Sequence, residues 1–409
     1  MIGYYYKLIY LLPVTLITGS FLPDLIVVTC SLLFLVDTFR NKYFIYYDNI
    51  FFKVFSLFFL LLVVSSSFSG ELLSFKYSLG YIRYGIFSIF IFYVLKNFKN
   101  VKFNFSVILI LIFIFLIFDG VIQLLFGKNI LLFQLQSYND KLAYITSVFG
   151  EEKKLGSYLA RLFPIFLMSI ILFNKEFPKK KLEKYFSILI FLPFILIIFT
   201  TERVSISIVT FFLLLVLFKS SIFFKSKKTY FLIISSLFIL LTYYNPLLYE
   251  KFMSILYSSG LVFPGWTQNG QVIGEYDIGL FFFSKFHHDQ IFNAINTFKD
   301  NIFFGVGPRS FRNIYSLHPH NFHAQVLSEA GVFAYLVLFA LFMFLFYKLN
   351  KIIFFTKLEN SCAEIKFFLM TSFFISLIPI PSGDFFNNWL NIIIYLPVGF
   401  YLYYDDKKI

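Results

Sequence analysis

The sequence predicts an all-α polytopic integral membrane protein of about twelve transmembrane helices, with both termini cytoplasmic and one large, helical periplasmic loop between helices 9 and 10. Three observations carry that prediction. The 409 residues are 59% hydrophobic and only 14% charged, against the roughly half-apolar, quarter-charged balance of a soluble domain. The apolar residues are gathered in runs of spanning length, and the basic residues collect in every second connection between those runs.

A spanning helix needs roughly 20 mainly apolar residues, fewer where its ends sit in protein. Such runs fall near 4–20, 22–38, 51–68, 78–95, 105–127, 155–173, 185–201, 203–218, 229–245, 327–347, 367–380 and 385–404. The first contains one lysine and no small-residue cleavage site, so it reads as a membrane helix rather than a removed signal. With the N-terminus inside, the inside segments hold 22 of the 35 basic residues, the asymmetry that the positive-inside rule requires. The net charge of +13 is therefore a topology signal and not a nucleic-acid footprint. The two cysteines, Cys30 and Cys362, show neither disulfide-framework nor zinc-finger spacing.

This divides the chain into helices 1–9 over 1–245, the large loop over 246–326, and helices 10–12 with the cytoplasmic C-terminus over 327–409. A smaller outer connection covers 128–154. The large loop is too long to be idle by ordinary loop statistics, and it holds all five histidines, His287, His288, His318, His320 and His323. No internal repeat or inverted symmetry between the halves argues for a transporter built from repeats.

Three arginines interrupt apolar runs, where an ionisable group is costly unless paired or functional. Arg83, Arg161 and Arg203 all fall at the outer ends of their expected helices. The plain alternative is snorkelling, or pairing with a loop acid such as Glu151, Glu152 or Glu202. Three guanidinium groups at one level suit an anionic, lipid-linked ligand such as a pyrophosphate, because arginine offers a planar fork of donors and keeps its charge.

In the large loop, Gly305-Val306-Gly307-Pro308-Arg309-Ser310-Phe311-Arg312 precedes His318-Pro319-His320-Asn321, and Glu329-Ala330-Gly331 follows. The Gly-x-Gly lacks the third glycine and the βαβ context of a dinucleotide fingerprint, so it reads as a tight turn after an amphipathic helix near 289–300. Pro319 disfavours helix at His318 and presents His320 at the start of the next helix. Histidine accepts a proton near neutrality, as activation of an alcohol requires. A metal held by the five histidines is a weaker alternative, since no ligand pair with metal-site spacing appears.

Taken together, these segments resemble the bacterial O-antigen ligase and polymerase superfamily, membrane glycosyltransferases that use undecaprenyl-pyrophosphate-linked glycans. Val148-Phe149-Gly150-Glu151-Glu152, Leu155-Gly156-Ser157-Tyr158-Leu159 with Arg161, Thr201-Glu202-Arg203, the stretch from Asn301 to Phe311, the His-Pro-His-Asn run through Glu329 and Gly331, and Pro381-Ser382-Gly383 with Phe385 to Trp389 carry the likeness in chain order. Ala334 and Thr201 stand where the family commonly has glycine, and Lys251 where members often carry arginine.

The resemblance implies an inverting, metal-independent enzyme of the inner membrane with its site facing the periplasm and no cofactor. Its donor would be the lipid-linked glycan, and its acceptor lipid A-core or another glycan. It makes His320 the base or the group that orients the acceptor, with Asn321 orienting His320, and puts Arg203, then Arg161 and Arg83, on the donor pyrophosphate. Arg309, Arg312 and His288 would be secondary phosphate or acceptor contacts. Ligase and polymerase both stay open, and a flippase of lipid-linked sugars is the rival outside enzymes.

Overall fold

The computed structural model describes residues 4–138, 142–176, 182–220, 235–236, 239, 249, 285–358 and 360–406. Most of the ninth expected helix and of the loop up to residue 284, with Lys251, lies outside the described residues.

The chain folds as a helical bundle. A 3-10 segment, Tyr4–Leu11, runs into α1 (Leu12–Thr15), and α2 (Phe21–Asn41), α3 (Ile50–Ser69), α4 (Leu72–Gly80), α5 (Ile82–Asn97) and α6 (Val101–Phe126) follow. Then come α7 (Leu155–Glu176), α8 (Leu182–Phe199), α9 (Arg203–Lys219), α10 (Lys285–Asp300), α11 (Phe311–Tyr315), α12 (Phe322–Phe355), α13 (Ser361–Ser376) and α14 (Asn388–Asp406). Among the described residues six stretches, α2, α3, α4 with α5, α6, α7 and α12, are long and apolar enough to cross a membrane. The chain is a multi-pass membrane protein.

Two elements differ from the expectation. The first run is mostly 3-10 helix, whose rise of about 2 Å per residue against about 1.5 Å lets a short segment reach further. It extends from Tyr5, whose hydroxyl donates to Asp37 at 2.8 Å, to Leu16, whose carbonyl accepts from Trp389 Nε1 at 2.8 Å. The connection near 128–154 contains a short antiparallel hairpin, Gln136–Tyr138 with Leu142–Tyr144. Two buried side chains of α6 fasten the rest of that connection. Gln123 Oε1 accepts from the Thr146 and Ser147 N–H groups at 3.0 and 2.7 Å, and Asp119 accepts from Ile130 N at 2.9 Å and from the Ser147 hydroxyl. Buried polar groups need such partners, so these two residues are satisfied by the loop and the loop is ordered by them.

Small residues bring helices close where lipid gives no hydrophobic drive to association. A Cβ on Gly399 of α14 would stand 2.5 Å from Ile91 Cβ and 2.7 Å from the Ser88 carbonyl of α5. The helices alternate in direction, which sorts the polar groups by end. One end carries Lys96 paired with Asp406 at 2.8 Å, Lys366 with Asp405 at 2.7 Å, and Lys102 on the Tyr403 hydroxyl at 2.8 Å. The other end gathers the N-termini of α7, α9, α12 and α14 with the loops before them.

At that second end α12 is broken. Gly331 has φ 78° and ψ −179°, inside what otherwise runs as one helix from Phe322 to Phe355. The turn expected at Gly305-Val306-Gly307 packs into the break. Val306 N donates to Ser328 O at 3.0 Å, Gly307 N to Glu329 O at 2.8 Å, and Val332 N to Ile302 O at 2.9 Å. A Cβ at residue 331 would lie 2.2 Å from the Phe303 carbonyl oxygen. Left-handed or more extreme backbone costs about 1–3 kcal/mol for a residue with a Cβ, and the clash adds to it. Gly331→Ala should therefore destabilise the protein by more than about 2 kcal/mol. Thermal unfolding in detergent measures this, with Ala334→Gly in the same helix as the mild comparison.

Candidate functional site

The site begins at the α7 N-terminus. Gly156 lacks a Cβ, which would fall 2.5 Å from Thr200 Oγ1 and 2.8 Å from the Glu202 carboxyl carbon, so Glu202 closes onto the helix end. Glu202 Oε1 accepts from Gly156 N at 2.9 Å, and Oε2 accepts from the Ser205 hydroxyl at 2.8 Å. A carboxylate on helix N–H groups is favourable, and this one joins the starts of α7 and α9. Arg161 lies one turn further along α7, buried, its Nε donating to Ser157 Oγ at 3.2 Å.

The second wall comes from the segment before α12. His320 takes a left-handed backbone, φ 54°, and its carbonyl accepts from Ser382 N at 2.8 Å, which pins it to the Pro381–Gly383 turn. Its ring lies 3.8 Å, centroid to centroid, from that of His318 and 5.5 Å from that of His287 on α10. Asp384 follows the turn and is only 3% exposed. Arg312 Nη2 reaches its Oδ2 at 2.9 Å, and Arg309 Nε lies 3.9 Å from the same oxygen. Its Oδ1 accepts from Gln325 Nε2 at 2.7 Å and from Phe386 N at 2.9 Å.

These walls enclose a cleft of about 440 Å³ lined by Arg161, Arg312, Lys153, Lys154, Glu202, Asp384, His287, His318 and His320, among others. A neighbouring cavity of about 270 Å³ shares Glu202, Val204, His287 and Pro381 with it and adds Arg203, Ser207 and Ile380. Burial governs the titrations. Desolvation, with the nearby charges of His320 and Arg203, lowers His287 to about 4. His318 falls to about 4 for the same first reason, with His320 next. His320 is also lowered, by burial and by Arg312, against the opposing pull of Asp384. All three imidazoles are thus neutral at pH 7. Desolvation raises Glu202 to about 7, against the hydrogen bonds it accepts and the charge of Arg161.

The structure brings His320, Arg161 and Arg312 of the expected residues into one cleft. Arg203 lines the adjoining cavity. Arg83 joins neither, because Asp24 captures its Nε at 2.9 Å while Gly80 O, the Tyr84 hydroxyl and Asn388 accept from its other nitrogens. That is the pairing alternative, with a different acid from those expected. Asn321 is not aimed at His320; its Oδ1 accepts from Ala324 N at 3.0 Å and caps α12. Arg309 stacks 4.1 Å over the Tyr77 ring and leans on Asp384 instead of entering the cleft. His288 lies against Phe292, and its neighbour His287 lines the site.

Adjacent helical residues point about 100° apart, so a histidine doublet does not reveal which member faces a site. Asp384 was missed as well. Its signal is a lone acid after Pro381-Ser382-Gly383, between two apolar runs, where an unpaired charge would be expensive. His323 is structural, its Nε2 2.7 Å from the Leu377 carbonyl among Tyr335 and Phe342. Among the described residues no group of three or more His, Cys, Asp or Glu side chains is disposed to hold a metal. No family model and no curated protein matches the chain.

Two outcomes follow from this geometry. Asn321→Ala should cost about 1 kcal/mol of stability through the lost cap, while Asn321→Asp or Asn321→Ser retains most of it; unfolding in detergent measures both. Glu202 is an anion above pH 7 and neutral below it, so an anionic ligand beside Arg161 should bind more tightly as pH falls through about 7. His287 and His318, lowered to about 4, stay neutral in that window. Equilibrium binding of pyrophosphate-bearing lipid between pH 6 and 8 tests this, and Glu202→Gln should flatten the dependence.

Proposed function

We propose that the protein is a membrane glycosyltransferase of the O-antigen ligase type. It moves a glycan from undecaprenyl pyrophosphate to a sugar hydroxyl of lipid A-core at the periplasmic face of the bacterial inner membrane. Twelve helices with both termini cytoplasmic complete this reading, with the lysine-rich end of the bundle inside and the cleft outside. The observation that carries it is the meeting of two guanidinium groups, Arg161 and Arg312, with the neutral imidazoles of His318 and His320 in one cleft. The segments that resemble the O-antigen ligase and polymerase superfamily supply most of that lining.

The chemistry is a single displacement. The acceptor hydroxyl oxygen attacks the anomeric carbon as its proton passes to a ring nitrogen of His320. The bond from that carbon to the pyrophosphate oxygen breaks, and the electron pair leaves with the lipid pyrophosphate. Arg161, which is buried, and Arg312, which Asp384 holds in place, face the charge that develops there as fixed donors. A neutral His320 is the form able to accept the proton. Asp384 holds Arg312 in place without entering the reaction, and the Ser382 contact holds His320. The arginines, histidines and carboxylates of the cleft lie together at one end of the bundle, which supports chemistry at that face over passage of a sugar through the membrane.

A polymerase, whose acceptor is a second lipid-linked glycan, uses the same cleft, and the adjoining cavity with Arg203 favours that variant. Surface polysaccharide from cells carrying His320→Ala separates the two on a gel. Loss of ligation removes the whole ladder and strands glycan on its carrier, whereas loss of polymerisation leaves core bearing one repeat unit. An unchanged ladder would sink both enzymatic readings.

A further inference from the structure

The connection after α6 doubles back along the helix it leaves. Gly127, left-handed at φ 72°, ends α6, and Leu135 N returns to its carbonyl at 2.8 Å. Between those residues the chain is fastened to α6 itself, since Ile130 N donates to Asp119 Oδ1 at 2.9 Å and Asn129 Nδ2 to Asp119 Oδ2 at 3.2 Å. Asp119 lies about two turns before the end of the helix, roughly 10 Å back along its axis. Counted from Phe103, beside Lys102 at the lysine-rich end, it stands about 24 Å along α6. That is inside a hydrocarbon layer about 30 Å thick.

What this turn presents to its surroundings is hydrocarbon. Ile130 is 47% exposed, Leu131 58%, Leu132 75% and Phe133 40%. Four consecutive apolar side chains standing in water would be unfavourable. Here they adjoin the lipid-facing stripe of α6, in which Leu111, Phe115, Phe118 and Leu125 recur at helical spacing and are likewise exposed. Asp119 is about 100° round the helix from Phe118, so the turn is fastened to the flank of that stripe. Leu132 adds an independent observation. Its backbone is left-handed, φ 66°, a region that glycine or asparagine enters at less cost than leucine. A leucine kept there has a task for its side chain.

The polar groups of the turn are matched to the same place. Backbone that is not helical persists at membrane depth only where protein satisfies its N–H and C=O groups. Asn129 N donates to Phe133 O at 3.0 Å, Leu132 N to Asn129 O at 3.0 Å, and Phe133 N to Asn129 Oδ1 at 2.8 Å. Gln123 Nε2 donates to the Gln134 carbonyl at 3.2 Å. Asp119, Gln123 and Asn129, which make these bonds, are all buried. The turn thus hides its polar atoms against α6 and turns its leucines outward.

We propose that residues 128–134 form a re-entrant loop whose tip, Ile130, Leu131 and Leu132, is inserted among the acyl chains of the leaflet at the cleft end of the bundle. The partner is the lipid itself, because the tip adjoins a face of α6 that lipid already covers. This holds whether or not the cleft transfers sugars. Insertion also ties one wall of the cleft to a fixed depth. The Ser147 hydroxyl donates to the same Asp119, and the chain then runs to Lys154 at the cleft rim through Glu152 N on Phe149 O at 3.2 Å and Lys154 N on Glu152 O at 2.8 Å.

Spin labels measure the insertion. Cys362 is replaced by alanine, Cys30 is buried, and nitroxide labels are placed on single cysteines at Leu131, Leu132, Phe118 and Asp300. The full-length protein is reconstituted into vesicles of phosphatidylethanolamine and phosphatidylglycerol. Phe118 marks lipid, and Asp300, exposed at the end of α10, marks water. Leu131→Cys and Leu132→Cys should match Phe118→Cys, with collisions of molecular oxygen severalfold more frequent than those of a water-soluble nickel chelate. Nickel access equal to that at Asp300→Cys overturns the proposal, because the tip then lies in water. Loss of both collision rates with dipolar broadening between labelled copies also overturns it, since a second copy then covers the tip. Leu131→Lys in the otherwise natural chain gives a reading without labels. A charge costs more in lipid than in water, so its Tm in the same vesicles should fall by several degrees, and an unchanged Tm overturns the insertion.

Discussion

The site end of this molecule depends on one carboxylate and one glycine. Glu329, fully buried in α12, accepts from Arg309 N at 3.0 Å, Phe311 N at 3.1 Å and Gln325 Nε2 at 3.0 Å. Two residues on, Gly331 opens the helix so that the 302–307 segment can dock its backbone there. A break in a membrane helix frees carbonyl and N–H groups that lipid cannot satisfy, so it survives only when protein supplies the partners. Here the docked turn supplies them, and the Ser65 hydroxyl of α3 adds a bond to Glu329 O at 3.1 Å. The orientation of Arg309 and Arg312 follows from that docking.

From there a chain of polar contacts runs through the site. Glu329 holds Gln325, Gln325 holds Asp384, and Asp384 holds Arg312. The other end of Gln325 accepts from Phe385 N at 2.8 Å, which fixes the turn that in turn pins His320. Glu329, Gln325 and Asp384 are buried, and removing one partner of a buried charge commonly costs about 3–5 kcal/mol. Such a network is rigid because no member can relax without orphaning the next. Rigidity suits a site whose proposed task is to meet developing charge with fixed donors.

Much of this was legible from sequence, and the parts that were not share a reason. Arg161 and His320 were visible because each breaks a local pattern, a charge inside an apolar run and a histidine after proline at a helix start. Arg83 broke the same pattern and is a structural ion pair, since its use depends on Asp24 and Asn388, residues 59 and 305 positions away. Asn321 beside His320 suggests an orienting group, but an asparagine before a helix already has a local task as a cap. His287 and Asp384 acquire meaning only from what α10 and the α13–α14 turn pack against.

The sequence by itself determined the helical membrane architecture, because apolar runs of spanning length and the placement of lysines are one-dimensional properties that lipid and charge read directly. It also marked the Gly-x-Gly turn and the helix start after Pro319, whose backbone limits are local. Tertiary structure alone decided which arginines share a cleft, which carboxylates hold them, and that Glu202 ties the starts of α7 and α9 together. Those facts are distances between residues remote in the chain, and a guanidinium is a ligand clamp or a helix strut according to the carboxylate that packing brings to it.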